Sequence, residues 1–180
     1  FTRWRGKVRD TIFFAYVILM LMPYQVTLVP NYLVSDFLGL LNTRWAIILP
    51  GAFAPFSVFL LTKSMRRIPV SLIESAKLDG CGNLRFIVKI LMPLTKSAMG
   101  AMAVYTFINA WNMYMWPLLV TGSDSKRTVQ IGISMLNSVD AQSITLMLAG
   151  VVMIIIPSIS IFIVGQKALI KGMFSGAVKG

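Results

Sequence analysis

The sequence predicts an all-α fold, a polytopic bundle of transmembrane helices, and three observations carry that prediction. The 180 residues are 57% hydrophobic and only 13% charged, with a mean hydropathy of +0.77, well outside the mix of an ordinary soluble domain. Charged residues leave four gaps, at 11–35 (25 residues), 45–62 (18), 97–123 (27) and 141–166 (26). At about 1.5 Å of rise per residue even the shortest reaches roughly 27 Å as a helix, enough to cross most of a hydrocarbon core of about 30 Å. The third observation is the placement of charge between the gaps. Of 17 basic residues, 14 fall at the start (Arg3, Arg5, Lys7, Arg9), in the centre (Lys63, Arg66, Arg67, Lys77, Arg85, Lys89, Lys96) or at the end (Lys167, Lys171, Lys179). Only Arg44, Lys126 and Arg127 remain for the other side, so the positive-inside rule puts both termini and the central loop in the cytoplasm. Helices buried in a soluble protein of this length would need polar faces, and these show no continuous polar stripe.

The elements follow in order. Helix 1 is expected over about residues 11–30 and carries Pro23 and Pro30; helix 2, about 45–62, carries Pro50 and Pro55. Proline in a membrane helix frees a carbonyl and bends the axis, which suits a moving bundle. Residues 31–44 read as an outer loop with Gly39 and Asn42 as turn signals. After the central loop, residues 63–96, helix 3 is expected over about 97–119, ending in Trp111, Tyr114 and Trp116. With Tyr24, Tyr32 and Trp45 these rings mark outer span ends as an interfacial aromatic belt, agreeing with the orientation from charge. Residues 121–143 form a polar outer segment, helix 4 runs over about 144–164 with a bend at Pro157, and a short basic tail closes the chain. The basic opening lacks an initiator methionine and has no small-residue cleavage site for a secretory signal, so it reads as a truncation.

The central loop is the most informative part. Within it runs Glu74-Ser75-Ala76, three residues, Gly80, nine residues, Ile90, one residue, Met92-Pro93. Pro69 suits a first helical turn, residues 70–79 read helical, and Gly80 with Gly82 supplies a break before a second helix. A charged loop between membrane-grade segments sits at the water boundary, where it is a link or a contact surface. Val70, Leu72, Ile73 and Ala76 read as the apolar side of a docking helix, with Ser71, Ser75 and Lys77 elsewhere on it.

This spacing resembles the cytoplasmic loop of binding-protein-dependent ABC importer permeases, whose pattern is Glu-Ala-Ala, three residues, Gly, nine residues, Ile, one residue, Leu-Pro. Glu74, Ala76, Gly80, Ile90 and Pro93 match, while Ser75 and Met92 depart mildly. Trp111-Asn112, Trp116-Pro117 and the closing Gly176-Ala177-Val178-Lys179-Gly180 are similar to the maltose-type sugar permeases. The resemblance implies a single permease domain over residues 1–180, the type I importer core, with four of about six spans present and two N-terminal helices missing. It further implies a multi-pass protein of a prokaryotic cytoplasmic membrane. Ile73, Glu74, Ser75, Ala76, Gly80, Ile90 and Pro93 would form the coupling loop that docks on ATP-binding subunits. A second permease subunit and an extracytoplasmic solute-binding protein would complete the assembly.

The residues exclude other chemistry. No glycine-rich nucleotide loop is present, and the acidic residues Asp10, Asp36, Glu74, Asp79, Asp124 and Asp140 all fall in loops or at span ends. No intramembrane carboxylate is thus left for proton coupling. One cysteine, Cys81, and no histidine give neither a disulfide framework nor a cysteine–histidine metal site, and no catalytic residue or cofactor is expected. The net charge of +11 is dispersed among spans, so nucleic acid is not the expected partner; the lipid bilayer is. Asn109, Asn112 and Tyr114 beside Trp111 and Trp116 offer hydrogen bonds and ring faces suited to a sugar, against the alternative of helix–helix bonds and an interfacial belt. The expected function is ATP-driven import of a di- or oligosaccharide by alternating access. The alternatives are glycerol 3-phosphate transport and a non-transport scaffold that recruits a cytoplasmic protein.

Overall fold

The computed structural model describes residues 6–52, 54–136 and 144–174. Eleven α-helical segments lie among the described residues: α1 Lys7–Ile18, α2 Tyr24–Phe37, α3 Arg44–Ala52, α4 Pro55–Met65, α5 Val70–Leu78, α6 Asn83–Phe86, α7 Met92–Leu94, α8 Lys96–Trp111, α9 Met115–Val120, α10 Val129–Leu136 and α11 Ile144–Phe174. A 3₁₀ turn, Leu19–Leu21, extends α1, and a π-helical turn, Ile87–Leu91, joins α6 to α7. No strand occurs among the described residues. Two stretches, Arg44–Met65 and Ile144–Lys167, are long and apolar enough to cross a membrane, and the number rises to four if each of two bent helix pairs counts as one span.

Two expected spans, helix 1 and helix 3, are broken. Helix 1 stops at Leu21 and restarts at Tyr24, because Pro23 caps α2 in an extended conformation (φ −58°, ψ 135°) and a residue before proline is pushed out of the helical region. The second piece then runs on to Phe37, so 31–37 is helix where a loop was expected. Helix 3 stops at Trp111 and restarts as α9, since Pro117 has no N–H for the carbonyl of Met113 and its ring crowds that group. Helix 4 overruns its expected end by ten residues, through a stretch rich in helix-favouring Gln166, Lys167, Ala168 and Leu169. The polar outer segment contains a helix, α10, which buries Ile131.

The chain divides into two compact units, one of residues 1–21, 55–105 and 165–180, the other of 22–54 and 106–164. In the first, α1 half-buries Arg9, Phe13, Tyr16 and Val17, one helical stripe at i, i+4, i+7 and i+8. Phe13 stacks on Phe59 of α4 with centroids 6.3 Å apart and rings 14° from parallel, and Phe56 meets Tyr105 of α8 at 4.4 Å. The small residues Ala98 and Ala101 of α8 are buried, and the helix lies so close to α11 that a Cβ on Gly165 would run into the γ-carbons of Val104.

The second unit is built around Trp116. It is 2% exposed, donates Nε1–H to the carbonyl of Ala46 at 2.9 Å, and packs with Ala46 and Val120 under Leu28, Tyr32, Leu40, Leu41, Ile47 and Met113. The assignment of Trp116 to an interfacial belt is thereby corrected: its indole satisfies a helix carbonyl in an apolar interior, an outcome open to any buried tryptophan. Trp45 stays exposed, while Trp111 donates Nε1–H to the carbonyl of Ile154 at 3.0 Å. Asn42 adopts a left-handed conformation (φ 57°), and its Oδ1 accepts from the amides of Gly122 and Ser123 at 3.1 and 3.0 Å and from the Ser123 hydroxyl at 2.8 Å. It is a clamp as well as a turn residue.

Candidate functional site: the loop of residues 63–96

The loop begins where α4 ends and its first helix is entered through Pro69, which serves as the N-cap (φ −58°, ψ 139°), one position before the first helical turn expected for it. The helix α5 then ends in a cap that explains the motif's spacing. Gly80 has φ +70°, a conformation that costs a side-chain-bearing residue about 1–2 kcal/mol. Its amide donates to the carbonyl of Lys77 at 3.0 Å, and the amide of Cys81 donates to Ala76 at 2.9 Å. These two bonds define a Schellman cap, in which glycine sits four residues after the residue whose carbonyl takes the outer bond. Ala76 and Gly80 are that pair, so the interval between the motif's alanine and glycine is set by hydrogen-bond geometry. The side chain beneath the closing turn must be small and apolar, and Ala76 is 6% exposed there.

After Gly82 the second loop helix runs as α6, the π-helical turn and α7. The turn widens just before Pro93, whose ring would press on the carbonyl four residues back and whose nitrogen donates nothing to it. Thr95 follows, buried, with its hydroxyl on the carbonyl of Leu91 at 2.8 Å. There the axis bends by 80° between Asn83–Leu94 and Lys96–Trp111. The second loop helix therefore runs across the direction of α8.

The motif residues take distinct places. Ala76 and Ile90 line one open cavity of about 300 Å³ together with Leu72, Asp79, Cys81 and Arg85. Ile73 is half-buried, while Glu74, Ser75, Gly80 and Pro93 are exposed. The hydroxyl of Ser75 donates back to the carbonyl of Ser71 at 2.9 Å. The expected apolar docking side is split by the fold: Ile73 and Ala76 turn toward their own chain, and Val70 stays outside. Leu78 and Leu84 project furthest, at 88% and 76% exposed, and went unnoticed in the sequence. Leu78 was findable from the i, i+4 spacing of Val70, Glu74 and Leu78, whereas nothing local marks Leu84.

The residues expected to contact solute lie at and just beyond the end of α8. Asn112 donates Nδ2–H to the carbonyl of Ile108 at 2.9 Å, closing the end of α8, while Gln130 donates to the carbonyl of Trp111 at 3.0 Å. The Tyr114 hydroxyl lies 3.0 Å from that of Ser134, and Asn109 lies on the exposed face of α8. Trp116, buried, presents no ring face to a sugar. No three acidic or cysteine side chains gather as a metal centre among the described residues.

Known proteins are similar to this chain. The arabinooligosaccharides transport system permease protein AraQ of Bacillus subtilis is 35% identical over 174 residues, which are 97% of this chain and 62% of that protein. The sn-glycerol-3-phosphate transport system permease protein UgpE of Rhizobium meliloti is 32% identical over 171 residues, covering 94% and 61%. A chain in the crystal structure of a bacterial ABC transporter involved in the import of the acidic polysaccharide alginate superposes with a TM-score of 0.80 at 25% identity, over 92% of this chain and 64% of that one. The chain thus spans about three fifths of the length of these relatives. The family described as binding-protein-dependent transport system inner membrane component matches residues 2–174, and with its all-helical fold and glycine-capped loop this chain belongs to that family.

Proposed function

We propose that this chain is part of the membrane-spanning permease subunit of an ATP-driven importer that moves a di- or oligosaccharide across the cytoplasmic membrane of a prokaryote by alternating access. The observation that carries the reading is the loop: two helices joined at a Schellman glycine and set across α8 by the 80° bend, with Leu78 and Leu84 projecting. Exposed leucines on a rigid, transverse support suit insertion into a groove of another subunit. ATP hydrolysis resides in two such partner subunits, and residues 63–96, with the motif Ile73, Glu74, Ser75, Ala76, Gly80, Ile90 and Pro93, form the coupling element. A second permease subunit and an extracytoplasmic solute-binding protein complete the assembly, with both termini and this loop in the cytoplasm. Substrate contacts by Asn109, Asn112 and Tyr114 are a weaker part of the reading, because these polar groups also serve bonds within the chain, as Asn112 and Tyr114 do.

Similarity to a glycerol 3-phosphate permease supports a second solute class. The test uses the full-length permease in its assembled transporter, with Cys81→Ser to remove the native thiol. Leu78→Cys should crosslink to the ATPase subunit, and ATP-dependent uptake into proteoliposomes should follow an oligosaccharide rather than glycerol 3-phosphate. Crosslinking to lipid alone would refute the docking reading, and uptake of glycerol 3-phosphate alone would reassign the solute.

A further inference from the structure

The tryptophans of the Trp111-Asn112 and Trp116-Pro117 strings each donate to a carbonyl that lies just ahead of a proline inside another helix. Trp116 Nε1–H reaches the carbonyl of Ala46 at 2.9 Å, and Ala46 stands four residues before Pro50 of α3. In an unbroken α-helix that carbonyl accepts from the amide of residue 50, which a proline lacks. Ala46 is 0% exposed, so water cannot replace the missing amide, and an unmet carbonyl there is costly. Trp111 Nε1–H reaches the carbonyl of Ile154 at 3.0 Å, three residues before Pro157 of α11. The helical donor for Ile154 is the amide of Ser158, which is present. Trp111 therefore adds a bond to its partner helix, whereas Trp116 supplies one that α3 cannot make.

We infer that Trp116 is a positioning residue for transport: its indole stands in for the amide that Pro50 lacks and thereby ties α9 to α3. The role, though not the bond, rests on the proposed transport function. A helix with its own donor at position 50 would satisfy Ala46 without reference to α9. With Pro50 in place, the buried carbonyl is met only while α9 lies against α3, as a neighbouring element often meets a carbonyl freed by proline in a membrane helix. The two helices are thus held in one register. Trp116 is buried, so it acts on the rate of movement and not through contact with solute.

The test is a double-mutant cycle in the assembled transporter with the full-length permease, read as Tm and as uptake into proteoliposomes. Trp116→Phe keeps a ring and removes the donor. Its fall in Tm should be smaller by about 2–4 °C in a Pro50→Ala background, where the new amide at position 50 takes the carbonyl. The packing lost with the smaller ring is common to both backgrounds and cancels. Trp111→Phe with Pro157→Ala should show no such coupling, because the Ser158 amide is there in either case. In both backgrounds Trp116→Phe should lower the Vmax of ATP-dependent uptake about two- to ten-fold with KM unchanged. Additive Tm changes at Trp116 and Pro50, or equal coupling at Trp111 and Pro157, would overturn the donor role. Recovery of Vmax along with Tm, or a raised KM, would overturn the positioning role. Absence of ATP-dependent uptake by the unaltered transporter would defeat the transport function and the positioning role with it, while the Tm cycle still decides the bond. Should Trp116→Phe fail to assemble, Pro50→Ala alone sets a competing donor on the carbonyl. Exchange of the Trp116 indole hydrogen should then quicken about two- to ten-fold, and no change would count against the bond.

Discussion

Gly80 and Trp116 are the residues on which local geometry depends most. Replacing Gly80 by alanine places a Cβ at φ +70°, costing about 1–2 kcal/mol; the cap of α5 should fray. Amide hydrogen exchange at Cys81 should then quicken about five- to thirty-fold, and unaltered exchange would show that the cap is not glycine-dependent. Trp116→Phe removes the donor from the Ala46 carbonyl inside the core, a loss of about 1–3 kcal/mol. Thermal unfolding of the full-length protein should shift downward accordingly, and an unmoved midpoint would contradict the buried bond. These residues differ in how far the sequence foretold them. A glycine after a helical run announces itself, because so few residues tolerate that backbone conformation. A tryptophan near a span end reads equally well as interfacial or buried, since the distinction lies in Ala46, 70 positions away. Asn42 shows the same limit: the turn was legible, the clamp on residues 122–123 was not.

Among the elements, α8 and α11 meet tightly at one point, Gly165 against Val104. Gly165→Ala forces Val104 to move, and overpacking of this kind costs about 1–3 kcal/mol. Val104→Ala should relieve it, so a double-mutant cycle on thermal stability should give a favourable coupling energy, and strict additivity would argue against the contact. Four apolar segments were legible because charge gaps report desolvation directly. Where each segment breaks was not, because hydropathy averages over a window while a break depends on single residues such as Pro23 and Pro117. The interval from Ala76 to Gly80 has a structural reason, as the Cys81 amide on Ala76 and the Gly80 amide on Lys77 close one cap. The side-chain orientation of the motif was not legible, because the faces of α5 are sorted by a second helix whose position the sequence leaves open.

For the molecule as a whole, the distribution of basic residues makes a prediction about sidedness. Cys81 is the one cysteine of these 180 residues; with any other thiol of the full-length permease replaced by serine, a membrane-impermeant maleimide should label it in inside-out vesicles and not in intact spheroplasts. In a Cys81→Ser background, Ser123→Cys should show the reverse. Labelling of Cys81 from outside would reverse the proposed orientation and remove the loop from any cytoplasmic motor. The corner at Thr95 has a mechanical corollary. Under the proposed coupling, a push along the second loop helix would reach α8 sideways, at its foot, rather than along its axis, because the two are bent by 80°. A rod of 16 residues, about 24 Å long, pushed in that manner tilts instead of sliding, and a modest nudge below is enlarged into a wider excursion at the far tip.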